Sequence, residues 1–467
     1  MPLNRRALAS RTGMRSDPAP VRIAHLGLGA FHRAHQAWYT SVASDAHEWG
    51  IAAFTGRSPI AADELRAQDG LYSLVVRSAD SDEVGIVGSI TEAVDGARVD
   101  RLIDTIAAPA TALVTLTITE AGYALAADGE PDLSAPTVAA DIDWLRRNLR
   151  ATRFDLSDAP RTALARLVVG VEARRRAGGG DLAIVSCDNL PENGNLTRAA
   201  MLSLARLAGA GDTFDELVDH VTFVSTSIDR ITPRTTKGDA AAVASATGWR
   251  DASPVVTEPF HDWVLSGEFR GGRPDWEAGG ARFVDDIDPF ERRKLWLLNG
   301  AHTLMAYAGS ARGHHTVADA IGDSAVREWV DEFWSEAGAH LPVEGLDLDA
   351  YRAALRDRFH NARIQHRLDQ IGQDGTTKLR VRIIPVLKAE LSAGRDGTAS
   401  IRALGAWVAA ARRGVLPTDR ADAAVADAAS LRGDRAVAAL LALLDEDISA
   451  DPAVIAAVDL AASSFAN

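Results

Sequence analysis

Three side chains in one short run, KLWLLNGAH at residues 294–302, have the types needed to move a proton and hold a polar ligand: Lys294, Asn299 and His302. The chain uses lysine sparingly, since Lys237, Lys294, Lys378 and Lys388 are the only ones among 50 basic residues. Arginine stays protonated in proteins, whereas a partly buried lysine can lose its proton and act as a general base. Such a bias suggests that the remaining lysines sit where arginine cannot serve. At about 100° per residue, a helix over this run keeps the three groups within roughly 140° of its circumference. One face would then present a base, an amide and an imidazole. The competing reading is an ordinary amphipathic helix, with Lys294 snorkelling and Leu295, Leu297 and Leu298 in the core.

Such groups need a scaffold, and the N-terminal part supplies a candidate. VRIAHL (residues 21–26) reads as an apolar strand and runs straight into GLGAFHR (residues 27–33). Strand, tight glycine turn and helix start form the opening of a dinucleotide-binding βαβ unit. Gly27 would allow the turn, and Gly29 would let backbone N–H groups approach a pyrophosphate. His32 stands where the third glycine of the usual fingerprint would be, and incomplete pairs of this kind also occur in plain turns.

Short apolar or β-branched runs at residues 51–55, 113–119, 182–186 and 221–225 alternate with helical stretches such as 139–149 and 161–177. That alternation predicts an α/β, Rossmann-type, doubly wound sheet. Beyond about Asp288-Pro289 the strand signals fade and amphipathic helices continue to the end. The alanine-rich residues 403–466 keep helical spacing in Val437, Leu440, Leu441 and Leu444. The expected organisation is a dinucleotide-binding domain over residues 1–286 and a mainly helical substrate-binding domain over 287–467. Boundary candidates are residues 271–274 and 285–289. Three polar motifs, TITEAGY (117–123), SCDNLPENG (186–194) and SIDRITP (227–233), follow strands on one edge of the sheet. Ligands bind at such carboxyl ends.

A formal charge of −14 argues against nucleic acid as a partner. No apolar run has the length of a membrane span, and the N-terminal residues lack the apolar core of a secretory signal. Cys187 is the only cysteine, which fits a reducing, cytoplasmic setting. The single cysteine excludes a four-cysteine zinc site, the histidines lack metal-ligand spacing, and no tyrosine is followed by lysine at the fourth place. What remains for alcohol oxidation is a lysine base with amide donors, namely Lys294 with Asn189 and Asn299.

The chain resembles the polyol-specific long-chain dehydrogenase/reductase family, which includes mannitol 2-dehydrogenase and the fructuronate and tagaturonate reductases. GLGAFHRAHQAWYT (27–40), QDGLYSL (68–74), TITEAGY, SCDNLPENG, IDRITP (228–233), KLWLLNGAH and HRLDQIGQDGTTK (366–378) carry the resemblance, in the family's order. It implies metal-independent hydride transfer between NAD or NADP and a polyol/ketose pair, with keto-uronate reduction as the alternative. It further implies Lys294 as general base, Asn189 and Asn299 as the oxyanion hole, and His302 as the residue holding substrate. Asp229, Arg367 and Lys378 would face the polyol chain, and Glu291 would line a proton path. Gly27, Gly29, Ala30, Phe31, Arg57 and Glu120 would meet the cofactor. A monomer or weak homo-oligomer acting on a small molecule, without membrane or nucleic-acid partners, completes the expectation.

One departure concerns the cofactor. The end of the second strand usually carries an acid that holds the adenosine ribose. Here it reads Gly56-Arg57-Ser58-Pro59, with no carboxylate before Asp63, so NAD comes first and NADP stays open. The rival from another class is a nucleotide-sensing protein without chemistry, against which the lysine base argues.

Overall fold

Strand β1 (Val21–Leu26) is followed in chain order by β2 (Gly50–Phe54), β3 (Tyr72–Arg77), β4 (Asp82–Val87), β5 (Ile90–Val94), β6 (Leu113–Leu116), β7 (Leu182–Ser186), β8 (Val221–Asp229), β9 (Val255–Thr257), β10 (Asp262–Ser266) and β11 (Arg282–Phe283). These come from a computed structural model that describes residues 1–13 and 17–465. The chain divides into two compact units, Met1–Ile287 and Asp288–Asn467.

In the first unit eight strands form one sheet in the order β11-β10-β8-β7-β6-β1-β2-β5. From β5 to β8 every pairing is parallel. Counting only those strands, the order is 3-2-1-4-5-6, the doubly wound order of dinucleotide-binding sheets. The strand order reverses between β1 and β6, which opens a crevice at their carboxyl ends. β10 pairs antiparallel with β8 and carries β11, extending the edge. Both sheet faces are covered, as a parallel sheet requires. Ala24, Leu26, Leu182 and Ile184 enter one core, while Ile23, Ala183 and Val185 enter the other.

Several boundaries differ from expectation. The run at 113–119 is strand only to Leu116, because Thr117 onward turns away as loop. The run at 221–225 continues to Asp229, because the antiparallel pairing with β10 prolongs it. The first half of the SIDRITP motif is therefore strand, with Asp229 at its last position. A separate three-stranded sheet, β4-β3-β9, was not foreseen. Gln68 anchors it, donating to Asp251 Oδ1 at 2.9 Å and accepting from the Ala252 N–H at 2.6 Å.

The second unit is helical. Its opening helix runs as α over Asp288–Arg293, π over Lys294–Gly300, α over Ala301–Leu304 and π again over Met305–Gly309. The core contains Phe333 and Trp334 of Ser324–Gly338 and Trp407 of Thr398–Arg412. Val437, Leu440, Leu441 and Leu444 are buried, as their helical spacing requires. Among the described residues no helix is long and apolar enough to cross a membrane.

Candidate active site

In the first unit a cleft of about 410 Å³ opens at the switch point between β1 and β6. It is lined by the turn after β1 (Gly27, Gly29, Ala30, Phe31, His32), the segment after β6 (Thr117 to Glu120) and the segment after β7 (Cys187 to Leu190), with Ile228 of β8. Five of the six residues expected at the cofactor meet here: Gly27, Gly29, Ala30, Phe31 and Glu120. Gly27 has to be glycine twice over. Its φ is +112°, and a Cβ would lie 2.3 Å from the Thr117 carbonyl oxygen. The sixth, Arg57, lies exposed beyond the end of β2 and outside this lining, where a nucleotide's second ribose would be read. Asp63, the nearest following acid, is paired with Arg66 at 2.6 Å.

Beneath the turn, two imidazoles replace the close glycine packing of the usual fingerprint. His25 of β1 and His32 of the short helix Ala30–Ala34 stack with ring centroids 3.3 Å apart. His25 reaches Thr115 Oγ1 at 2.8 Å and Thr117 Oγ1 at 3.0 Å, tying β1 to β6 directly under the cleft. Burial lowers the His25 pKa to about 3, and His32 is lowered well below 6.5 by burial, then by the neighbouring His25 and Arg33. Both are neutral at physiological pH. His25 is buried, and it ties the cleft floor together.

The SCDNLPENG segment is held by its own polar groups. Tyr123 OH donates to Asp188 Oδ2, and the Leu190 N–H donates to Asp188 Oδ1 at 2.9 Å. Asn193 accepts from the Thr226 N–H at 2.9 Å and donates to the Thr226 carbonyl at 3.1 Å, clamping the segment to β8. Asn189 emerges exposed from this braced segment and lines the cleft. Cys187 is buried, with its thiol pushed up by burial and by Asp188. Asp229 is buried at the end of β8, opposite Asp262 of β10. The neighbouring Arg230 donates to the carbonyls of Ala34 and Glu258 and lies over the Trp38 ring at 4.7 Å.

In the second unit Lys294, Asn299 and His302 share one helix, but its winding differs from the α geometry assumed from sequence. A ladder closing on the fifth residue brings positions five apart to the same side. Lys294 and Asn299, placed far around an α-helix, are thereby brought toward alignment. Side chains take up carbonyls of the π segment. Trp334 Nε1 donates to Leu297 O at 2.8 Å, and Thr303 Oγ1 donates to Asn299 O at 2.9 Å. Gly300 lets Phe333 approach, for a Cβ there would lie 2.4 Å from the phenyl ring. Lys294 and Asn299 are half-buried, and Glu291 lies one turn before the lysine.

His302 is buried against His366 and Phe359, with ring centroids 4.8 Å and 5.0 Å away. Burial, then His366, Arg358, Arg382 and Lys378, hold its pKa well below 6.5. Lys378 is half-buried, donates to Ile371 O at 2.9 Å, and has its pKa lowered by burial and by Arg382. Arg382 donates to Thr303 Oγ1 at 3.1 Å. Arg367 stands apart from this cluster: it is exposed and paired with Asp369 at 2.6 Å. His366 was not singled out as a site residue. Its membership depends on tertiary packing, although it adjoins Arg367, which was. The scarcity argument holds unevenly among the lysines, since Lys388 makes an ordinary surface pair with Asp445 at 3.0 Å. Among the described residues no His, Cys, Asp and Glu side chains converge in a group able to hold a metal.

Comparison with known proteins gives consistent results for both units. The profile of the mannitol dehydrogenase Rossmann domain matches residues 21–278, and that of the mannitol dehydrogenase C-terminal domain matches 286–465. D-mannonate oxidoreductase of Escherichia coli is 37% identical over 386 residues, covering 80% of this chain and 76% of that protein. Mannitol 2-dehydrogenase of Pyrenophora tritici-repentis is 34% identical over 387 residues, covering 80% of this chain and 66% of that protein. The solved ternary complex of Pseudomonas fluorescens mannitol 2-dehydrogenase with NAD and D-mannitol is 31% identical, with a TM-score of 0.81 over 100% of this chain and 97% of that one.

Proposed function

Because the chain belongs to the mannitol dehydrogenase family, whose two domains it carries in order, we propose that it transfers hydride between NAD and a polyol/ketose pair of the mannitol/fructose type. The observation that carries this reading is the cleft at the sheet's switch point. Its turn at Gly27 packs on Thr117 too closely for any Cβ, and this sets the tight turn and helix start that a dinucleotide's pyrophosphate approaches. A nicotinamide held there would supply the acceptor for the hydride released from the alcohol carbon.

The chain's own residues supply the rest. Lys294, as the neutral amine, takes the proton of the secondary hydroxyl. Asn189 and Asn299 donate to the oxygen as it gains negative charge, favouring the transition state over the bound alcohol. The braced segment around Asn189 and the π winding at Asn299 support these roles, since both fix the amide before substrate arrives. His302, with Asp229 and Lys378, orients the remaining hydroxyls, and Glu291 carries the proton away from Lys294. Gly29, Ala30, Phe31 and Glu120 line the cofactor cleft, with Arg57 at the adenosine end. The units correspond to cofactor-binding and substrate-binding domains, and the protein acts in the cytoplasm as a monomer or weak homo-oligomer.

A second reading, the interconversion of a sugar acid and its keto-uronate, has a specific observation in its favour. Lys378 and Arg382 place cationic groups beside His302, where a substrate carboxylate would be neutralised. The Escherichia coli relative named D-mannonate oxidoreductase points the same way.

Following nicotinamide absorbance with NAD and NADP against D-mannitol, D-arabinitol, sorbitol, fructose, D-mannonate, fructuronate and tagaturonate tests both readings. Turnover with the polyols or fructose upholds the first. Turnover confined to the acids selects the second, and cofactor binding without turnover would leave only a sensor.

A further inference from the structure

Among the described residues the second unit contains two imidazole nitrogens that are fully buried and have no hydrogen-bond partner: Nε2 of His302 and Nδ1 of His366. The two rings are neighbours, with centroids 4.8 Å apart and planes at 84°. A buried polar atom left unpaired costs about 1–3 kcal/mol, so two orphans side by side call for an account. One is at hand. A neutral imidazole has one N–H and one lone pair, so a single N–H···N bond satisfies both atoms. Linear imidazole pairs have centroids about 5 Å apart, close to the separation here.

We propose that His366 is a positioning residue for His302: its Nδ1 accepts the Nε2–H of His302 and fixes His302 in the tautomer whose Nδ1 lone pair faces the substrate. The direction of the bond follows from the surroundings. Lys378, Arg358 and Arg382 all act on His302, so hydrogen-bond donors are abundant there. A polyol hydroxyl whose oxygen accepts from such cations still has a proton to give, and an imidazole lone pair is what the cluster lacks. Both imidazoles are neutral, His366 having its pKa lowered to about 4 by burial and by Arg358.

The backbone holds His366 for this task. Val317 N–H donates to its carbonyl and Leu368 N–H to that of His315, each at 2.9 Å, strapping the segment on both sides. Gln365, immediately before it, has a φ of +50°, a left-handed conformation unfavourable for a side-chain-bearing residue. The chain accepts that conformation where it turns His366 toward His302.

The inference rests on the proposed role of His302 in holding substrate, but its first test does not. Full-length protein labelled with ¹⁵N-histidine and free of ligand is examined by long-range ¹H–¹⁵N correlation, the His302 signals being assigned by their loss in His302→Asn. A single Nε2–H tautomer is expected, with a mixture in His366→Phe. In turnover with the best substrate of the panel, His366→Phe should raise the polyol KM about tenfold, with the NAD KM unchanged. His366→Asn, whose side-chain oxygen replaces Nδ1, should recover most of that difference. A tautomer mixture at His302 in the unaltered protein overturns the proposal, as does a tautomer unaffected by His366→Phe. If His366→Phe does not fold, the unaltered protein and His366→Asn decide between them. Absence of turnover with every substrate would refute the proposed function and leave the tautomer result standing.

Discussion

The rings of His25 and His32 lie face to face, 3.3 Å between centroids and 9° from parallel, where a dinucleotide fold usually brings a glycine of its first helix against its first strand. The fingerprint is not defective here. Its third position is filled by a ring that packs on a second ring, and that second ring bridges β1 to Thr115 of β6 and to Thr117 in the loop just beyond it.

Such burial has a consequence for stability. The pKa of His25 is lowered to about 3 and those of His261 and His366 to about 4, against 6.5 when unfolded. The unfolded chain therefore binds protons that the folded chain refuses between those values. Stability is complete above about pH 6.5 and falls as pH drops through that window, by up to about 1.4 kcal/mol per pH unit for each such histidine. Thermal unfolding between pH 8 and pH 5 (roughly, spanning the ordinary histidine range) should show Tm declining below neutrality. A flat Tm there would contradict the buried, neutral state of these rings.

The asparagines offer a kinetic test. Asn189→Ala and Asn299→Ala should each lower kcat by roughly 10²–10³-fold, the worth of one donor aimed at developing charge. Steady-state kinetics separates this from ground-state binding, which would raise KM and leave kcat in place.

Cofactor preference turns on the exposed end of β2. With Arg57 and Ser58 in place of an acid, discrimination against NADP should be modest, and Arg57→Ala should impair NADP use more than NAD use. Ser58→Asp should sharpen the preference for NAD. Ratios of kcat/KM for the two cofactors measure both, and strong NAD selectivity indifferent to Arg57 would place the determinant elsewhere.

Much of the first unit was legible because its signals are local. β1 and β7 have the bounds their apolar runs predict, and the glycine turn lies where a strand meets a helix. Non-local features were not legible. The π winding over Lys294–Gly300 is accompanied by bonds from Trp334 and Thr303 that no periodicity records. The small sheet joins β3 to β9 across long sequence separation. The stack of His25 on His32 depends on how a helix crosses a strand, and the pairing of His302 with His366 on how the second unit folds back. Sequence alone could single out Lys294, Asn299 and His302. The winding that sets their mutual alignment came only with the structure.

The central claim is that Lys294 takes the proton of the alcohol, and pre-steady-state and steady-state oxidation of D-mannitol by Lys294→Ala across pH tests it most directly. The account predicts a kcat lower by about 10²–10⁴-fold, with NAD affinity little changed and with the fall in rate at low pH, where the base would be protonated, abolished. A variant that keeps most of its turnover, with the pH profile of the unaltered protein, would contradict it.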